Sequence, residues 1–252
     1  MIPYFTATTF HLGPIPIQVW GTLVALGILA GTFASAWLAK QRKQDAGLIW
    51  DLATWVILGA FVMARVFHVW LYNFDYYAAD PTKIFVIWEG GWSIIGGFLG
   101  AVLAGAWYLK KRQVNFGEYA DTTIFGLPLG LFIGRIGCFL IHDHPGKITN
   151  FFLGVQYPDG IIRHDHGLYL SLSGLGLFAA YLIMWKLKIE KGLLLPVFLL
   201  WYGAVRFVLD FYRATDGLIV DARYWGLTPA QFASLFMIVL GITLLIRKRK
   251  HI

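Results

Sequence analysis

The chain has 252 residues, 58% of them hydrophobic and 14% charged, with a mean hydropathy of +0.64 and a formal net charge of +7. Soluble domains carry about 25% charged residues, so the composition excludes a soluble globule and predicts an all-α polytopic membrane protein. One cysteine, Cys138, excludes an intrachain disulfide.

The amino-terminal stretch MIPYFTATTFHLGPIPI has no basic start and no compact apolar run ending in small residues, so no cleavable signal is expected. Apolar segments near the ~20 residues that cross ~30 Å of hydrocarbon then follow in order. They lie at about 16–38, 50–72, 93–109, 121–141, 167–185, 193–212 and 227–246, seven predicted spans within a single domain, 1–252. Lys and Arg collect in four knots between them: Lys40, Arg42 and Lys43; Lys110, Lys111 and Arg112; Lys186, Lys188 and Lys191; and Arg247 to Lys250. Seven spans place all four knots on one side, which the positive-inside rule makes cytoplasmic. The N-terminus and segments 73–92, 142–166 and 213–226 are then outside, and the C-terminus is cytoplasmic. Basic residues spent on topology leave no basic patch, so no nucleic-acid partner is expected.

Local signals agree with these boundaries. Asp80-Pro81 interrupts the outer segment after span two. Thr228-Pro229 reads as an N-cap followed by a first-turn proline at the start of span seven. Gly96, Gly100 and Gly105, with Ala101 and Ala104, give span three small-residue faces for close helix packing. Trp20, Trp88, Trp92, Tyr212, Tyr224 and Trp225 read as an interfacial aromatic belt.

Three arginines do not belong to the knots. Arg65, Arg135 and Arg206 sit inside spans two, four and six, each six or seven residues from the outer end, roughly 10 Å deep at ~1.5 Å per residue. A central arginine costs about 3 kcal/mol to insert, so it calls for a partner, a wet cavity or a ligand. The carboxylates at hand are few, chiefly Glu89, Asp143 and Asp210. A guanidinium fork suits a phosphate, and the phosphate available at that depth belongs to a lipid head group. Arg65 has a second reading as a helix–helix contact.

The segment GRIGCFLIHDHPG at 134–146 resembles the GRxGNFxNxExxG signature of prolipoprotein diacylglyceryl transferases. WEGGWSIIGGFLG at 88–100, RHDHGLY at 163–169, YGAVRFVLDFYR at 202–213 and GLTPAQFASL at 226–235 are similar to further segments of that family, in order. The resemblance implies transfer of the diacylglyceryl group of phosphatidylglycerol onto the lipobox cysteine thiol of a secreted prolipoprotein, at the outer leaflet of the bacterial cytoplasmic membrane. It implies that Arg135 contacts the phospholipid phosphate and that Arg206 is critical. Tyr202 and Arg213 match the family pattern, and Asp143 and Asp210 stand where it has glutamates. Gly134, Gly137, Gly96 and Gly97 are expected to let backbone approach the lipid, with Tyr202, Asp210, Arg213 and Arg65 completing the phospholipid site. No cofactor or metal is expected.

Four positions depart from the family. Its histidine before the glycine pair is Ile95, its asparagine after G-x-G is Cys138, its tyrosine at the outer end of span one is Trp20, and Gln-Leu-Tyr-Glu has become Gly-Leu-Tyr-Leu. Thiolate formation needs a base, since a free thiol titrates near ~8.5. Segment 142–166 holds four histidines in two His-Asp-His pieces, 142–144 and 164–166. His142 or His144 is expected to be the base, with Asp143 orienting one of them or pairing with Arg135. The same pieces are also read as a solvated loop or a zinc site. Cys138 is read as a packing residue, with a covalent carrier beside Arg135 as the alternative. Two function classes follow: a divergent transferase with a relocated base, or a lipid-binding relative that has lost the chemistry. A receptor or channel is a more distant third.

Overall fold

The computed structural model describes residues 1–71, 73–86, 90–143, 145–189, 191–214 and 223–249. Their helices are α1 (Val19–Gln41), α2 (Ala46–Leu71), α3 (Phe74–Ala79), α4 (Ile94–Lys111), α5 (Phe116–Thr123), α6 (Leu127–Ile141), α7 (His166–Lys186), α8 (Leu194–Leu209) and α9 (Pro229–Arg249). The protein is thus mainly helical, and the helices coincide with the expected spans to within a few residues. Among the described residues, α1, α2, α7, α8 with its 3₁₀ extension to Tyr212, and α9 are long and apolar enough to cross a membrane. Helices α5 and α6 form a sixth if their 40° bend is taken as one broken span. Helix α4 occupies the expected third span, but four glycines and a terminal lysine pair leave it less apolar than those five.

Two compact units divide the chain, Met1–Leu38 with Ala120–Ile252, and Ala39–Tyr119. In the first, α6 lies against α1 along a line of glycines. A Cβ added at Gly126 would strike the Gly31 carbonyl, and one at Gly130 would come within 2.9 Å of the Gly27 carbonyl. Ser35 of α1 mends the α5–α6 break: its hydroxyl donates to the Thr123 carbonyl at 2.8 Å and accepts from Gly126 N at 3.1 Å. Those are backbone groups that a helix break otherwise leaves unpaired in an apolar setting. Helix α7 packs on α6 through Gly167, Gly174 and Ser171, whose hydroxyl donates to the Phe132 carbonyl. The buried core gathers Leu38, Phe125, Leu177, Tyr181, Leu194 and Phe198. Buried Asp121 starts α8 by accepting from the Gly192 and Leu195 amides at 2.8 and 3.1 Å.

Segment 142–166, expected only as an outer loop, carries short strands. Strands β1 (Ile2–Pro3), β5 (Val155–Gln156), β6 (Ile162–Asp165) and β4 (Pro145–Ile148) form one sheet in that order, and β2 (Thr9–Leu12) with β3 (Ile15–Gln18) form a hairpin. In the sheet, β1 runs parallel to β5 through Ile2 and Val155, while β6 runs antiparallel to both β5 and β4. Strands of two to four residues are too short for a period-2 pattern to register, and this sheet closes only by pairing the N-terminus with residues about 150 positions away.

In the second unit α2 and α4 pack closely. A Cβ at Gly59 would meet the Gly100 carbonyl at 2.7 Å, and one at Gly96 would strike the Met63 carbonyl. At one end Tyr108 donates to Asp51 at 2.7 Å, and Arg112 donates to both groups at 2.9 Å. At the other, Ser93 caps α4 by accepting from the Gly96 amide.

Candidate functional site

Helix α8 and the turn after it place Tyr202, Arg206 and Asp210 at four-residue intervals, hence on one helical face. Arg213 follows one turn later. Asp210 is fully buried, and its Oδ1 faces Arg206 Nη2 at 3.3 Å and Arg213 Nη1 at 3.8 Å. Its Oδ2 accepts from the Thr228 hydroxyl. Thr228 in turn opens α9 with a reciprocal cap: its amide donates to Gln231 Oε1 at 3.0 Å, and its hydroxyl accepts from Gln231 N at 3.2 Å. The start of α9 thereby fixes the carboxylate independently of either arginine.

Arg135 joins the cluster from α6. It lies within electrostatic reach of Tyr202, and Arg206 feels Tyr202, Asp210, Arg213 and Arg135 together. Arg135 Nη1 donates to Cys138 Sγ at 3.6 Å, one turn on along the same face. No carboxylate among the described residues forms an ion pair with Arg135. Two guanidinium groups, those of Arg206 and Arg213, therefore face the Asp210 carboxylate, and Arg135 stands within electrostatic reach of Arg206. Asp143 adds one negative charge within electrostatic reach of Cys138. A guanidinium such as that of Arg135, with N–H donors not spent on a carboxylate, is receptive to a phosphate diester.

Several expected site residues have other work. The guanidinium of Arg65 donates through Nε to the Ile84 carbonyl at 2.9 Å, through Nη1 to Gly90 and Gly91, and through Nη2 to Lys83 and Val86. The Tyr77 and Trp92 rings face it at 5.2 and 5.7 Å. Its donors are spent on one loop, which accounts for its burial without a lipid phosphate. Gly134 and Gly137 face α1, where a Cβ would meet Val24 Cα at 3.9 Å and Trp20 Cα at 3.2 Å. Gly96 and Gly97 face Met63, Ala60 and Ala64 of α2. Gly96 and Gly137 serve close helix packing, where an absent side chain lets backbones approach, whereas a Cβ at Gly97 or Gly134 would make only ordinary contacts. Cys138 is buried, in keeping with a packing role, although its sulfur meets Arg135.

The His-Asp-His pieces pair across the sheet instead of within themselves. His142 ends α6 in a left-handed turn, φ 49° and ψ 43°. Its Nδ1 lies 2.8 Å from Asp165 Oδ2 and its Nε2 donates to the Phe5 carbonyl at 3.0 Å, with the Tyr4 ring stacked at 4.6 Å. Burial pushes the Asp165 carboxyl above the usual carboxylate range, while His142 and the Leu168 amide pull it back. With both ring nitrogens engaged and the side chain 2% exposed, His142 has no free lone pair for a substrate proton. Asp165, not Asp143, is its carboxyl partner. His144, Glu89 and Trp88 lie outside the described residues. Among the described residues no group of three His, Cys, Asp or Glu side chains is placed to hold a metal ion.

One residue that the sequence does not single out stands beside the cluster. His164 on β6 bonds through Nδ1 to the Tyr169 hydroxyl at 2.7 Å, and its ring lies 5.1 Å from that of Tyr212. Only the register of β6 against Gly146, which itself bridges to Arg213, brings it there.

Fold and cluster together define a class: a multi-pass membrane protein with an arginine-rich, anion-receptive site built on two apolar helices. The family model described as prolipoprotein diacylglyceryl transferase matches residues 7–247. Relatives named phosphatidylglycerol–prolipoprotein diacylglyceryl transferase, from Francisella tularensis subsp. novicida (strain U112) and subsp. holarctica (strain OSU18), are each 32% identical over 253 residues. Each alignment covers 97% of this chain and 93% of the relative. The chain belongs to the prolipoprotein diacylglyceryl transferase family.

Proposed function

We propose that this protein transfers the diacylglyceryl group of phosphatidylglycerol to a prolipoprotein cysteine thiol. The observation that carries this is Arg135, partly buried in α6 beside Tyr202 and Arg206 and lacking a carboxylate partner among the described residues. In the reaction the thiol sulfur bonds to the glyceryl carbon, the carbon–oxygen bond to phosphate breaks, and glycerol phosphate leaves with the electron pair. The leaving phosphate gains negative charge as the bond breaks, and fixed positive groups already aimed at it favour that change. Tyr202, within reach of both Arg135 and Arg206, adds a hydroxyl to the site. Asp210 keeps Arg206 and Arg213 oriented.

The four basic knots support a cytoplasmic C-terminus and an outer N-terminus, with α4 counted as a seventh span. The arginine cluster then falls in the outer half of the bacterial cytoplasmic membrane, where a secreted substrate with a lipobox cysteine arrives. The test uses purified protein, phosphatidylglycerol micelles and a lipobox peptide. The expected result is release of glycerol phosphate with a diacylglyceryl mass gain on the peptide, both lost in Arg135→Ala. Phospholipid binding without either product would instead favour the lipid-binding alternative that Ile95 and Cys138 raise.

A further inference from the structure

The family position for a histidine is Ile95 here, an apolar and exposed residue that cannot take a proton. A group that accepts the thiol proton must therefore come from elsewhere in the chain. We infer that the His164 imidazole is the proton acceptor for the substrate thiol, an assignment that rests on the transferase reading above.

Position is the first argument. Gly146 of β4 bridges to Arg213, and a Cβ there would come within 2.7 Å of both His164 Cβ and the Tyr212 carbonyl. His164 is thus set side by side with the segment that carries Arg213, and through Asp210 that segment is tied to Arg206. Access is the second. His164 is partly exposed, whereas His142 and His166 are buried. Availability is the third. Nδ1 has the Tyr169 hydroxyl, and among the described residues Nε2 has no hydrogen-bond partner. When Nδ1–H donates to the tyrosine oxygen, Nε2 carries the free lone pair. Tyr169 is then a positioning residue that holds the ring in place.

The neighbouring groups leave that lone pair unprotonated at neutral pH. Tyr169 faces the ring from α7, Tyr212 from the segment after α8, Gly146 from β4, and Phe151 from the loop between β4 and β5. Arg163 and Asp165 flank it on β6 but point to the opposite face of the strand, Arg163 to the Gly146 carbonyl and Asp165 to His142. No carboxylate faces the ring among the described residues, and burial holds the imidazole below its ordinary range. In the step itself the thiol proton passes to Nε2 as sulfur bonds to the glyceryl carbon. The phosphate oxygen leaves with the bonding pair, and the imidazolium returns its proton to the released glycerol phosphate.

The experiment compares wild type, His164→Gln and Tyr169→Phe as full-length protein in phosphatidylglycerol micelles with a lipobox peptide, from pH 5.5 to 9.5. Wild type is expected to lose kcat/KM on the acid side of about pH 6.5. His164→Gln is expected to lose about 100-fold at pH 7 with KM for phosphatidylglycerol little changed. That deficit should shrink to a few-fold by pH 9.5, where a thiol near ~8.5 ionises without help. Tyr169→Phe is expected to lose about fivefold, the worth of one hydrogen bond. Wild-type activity in His164→Gln, or a deficit that stays constant up to pH 9.5, overturns the assignment. If His164→Gln does not fold, a wild-type profile with no acid-side loss down to about pH 4, measured as an extension of the same series, overturns it just as well. A wild-type protein that binds phosphatidylglycerol but modifies no thiol overturns the transferase reading, and this assignment falls with it.

Discussion

Arg65 and Arg135 look alike in the sequence, each a lone arginine in an apolar span at a similar distance from the outer end. Their surroundings differ completely. Arg65 spends its donors on carbonyls of residues 83–91 and is closed in by two aromatic rings. Arg135 has a thiol at 3.6 Å and a tyrosine nearby, and no carboxylate partner among the described residues. A buried charge is costly in either setting, but Arg65 meets that cost inside its own unit, while Arg135 meets no carboxylate among the described residues. What distinguishes the two arginines is therefore how many of their donors backbone carbonyls have taken up.

The sharpest way to break this comparison is to remove each charge in turn. Arg135→Ala should lower kcat/KM by roughly 10²–10³-fold, as loss of one preorganised positive group does, while the thermal midpoint in detergent stays close to wild type. Arg65→Met should do the reverse. Leaving several buried carbonyls without a donor should cost about 3–5 kcal/mol, read as a lower unfolding midpoint, with near-normal activity per folded molecule. If Arg65→Met left stability intact and abolished activity, the assignment of Arg65 to the loop would be wrong.

His142 provides the same contrast for a titratable group. His142→Ala leaves Asp165 buried and unpaired and should destabilise by about 3 kcal/mol. His142→Ala combined with Asp165→Ala should cost less than the sum of the two single changes, which a double-mutant cycle would measure. The smallest effect concerns pH. His164 is held below its ordinary range, so the unfolded chain binds more protons as pH drops below about 6.5. Stability should therefore rise with pH across that window, and the slope should flatten in His164→Gln.

Much of the site is legible in the amino-acid sequence. Arg135, Arg206, Asp210 and Arg213 stand out because charge inside an apolar span is rare and because α8 spaces three of them with Tyr202 by turns of a helix. Thr228-Pro229 marks the start of α9, although nothing local shows that the Thr228 hydroxyl holds Asp210. Gly137 is hard to read from sequence because a glycine beside an arginine has two uses, approach by a ligand or approach by a helix. Only the position of α1 decides between them. The pairing of His142 with Asp165 is hidden for a similar reason: two matching His-Asp-His pieces suggest local pairs, while the sheet joins them across 23 residues.

The sequence by itself determined that this is a mainly helical membrane protein, roughly where its helices lie, and which family it resembles. Each of those follows from local hydropathy, charge and short motifs, which act within a turn or a span. The tertiary structure decided which charges are satisfied and which remain open. Whether a guanidinium or an imidazole keeps a free donor or lone pair depends on carbonyls and carboxylates brought in from distant positions, and no local pattern carries that information.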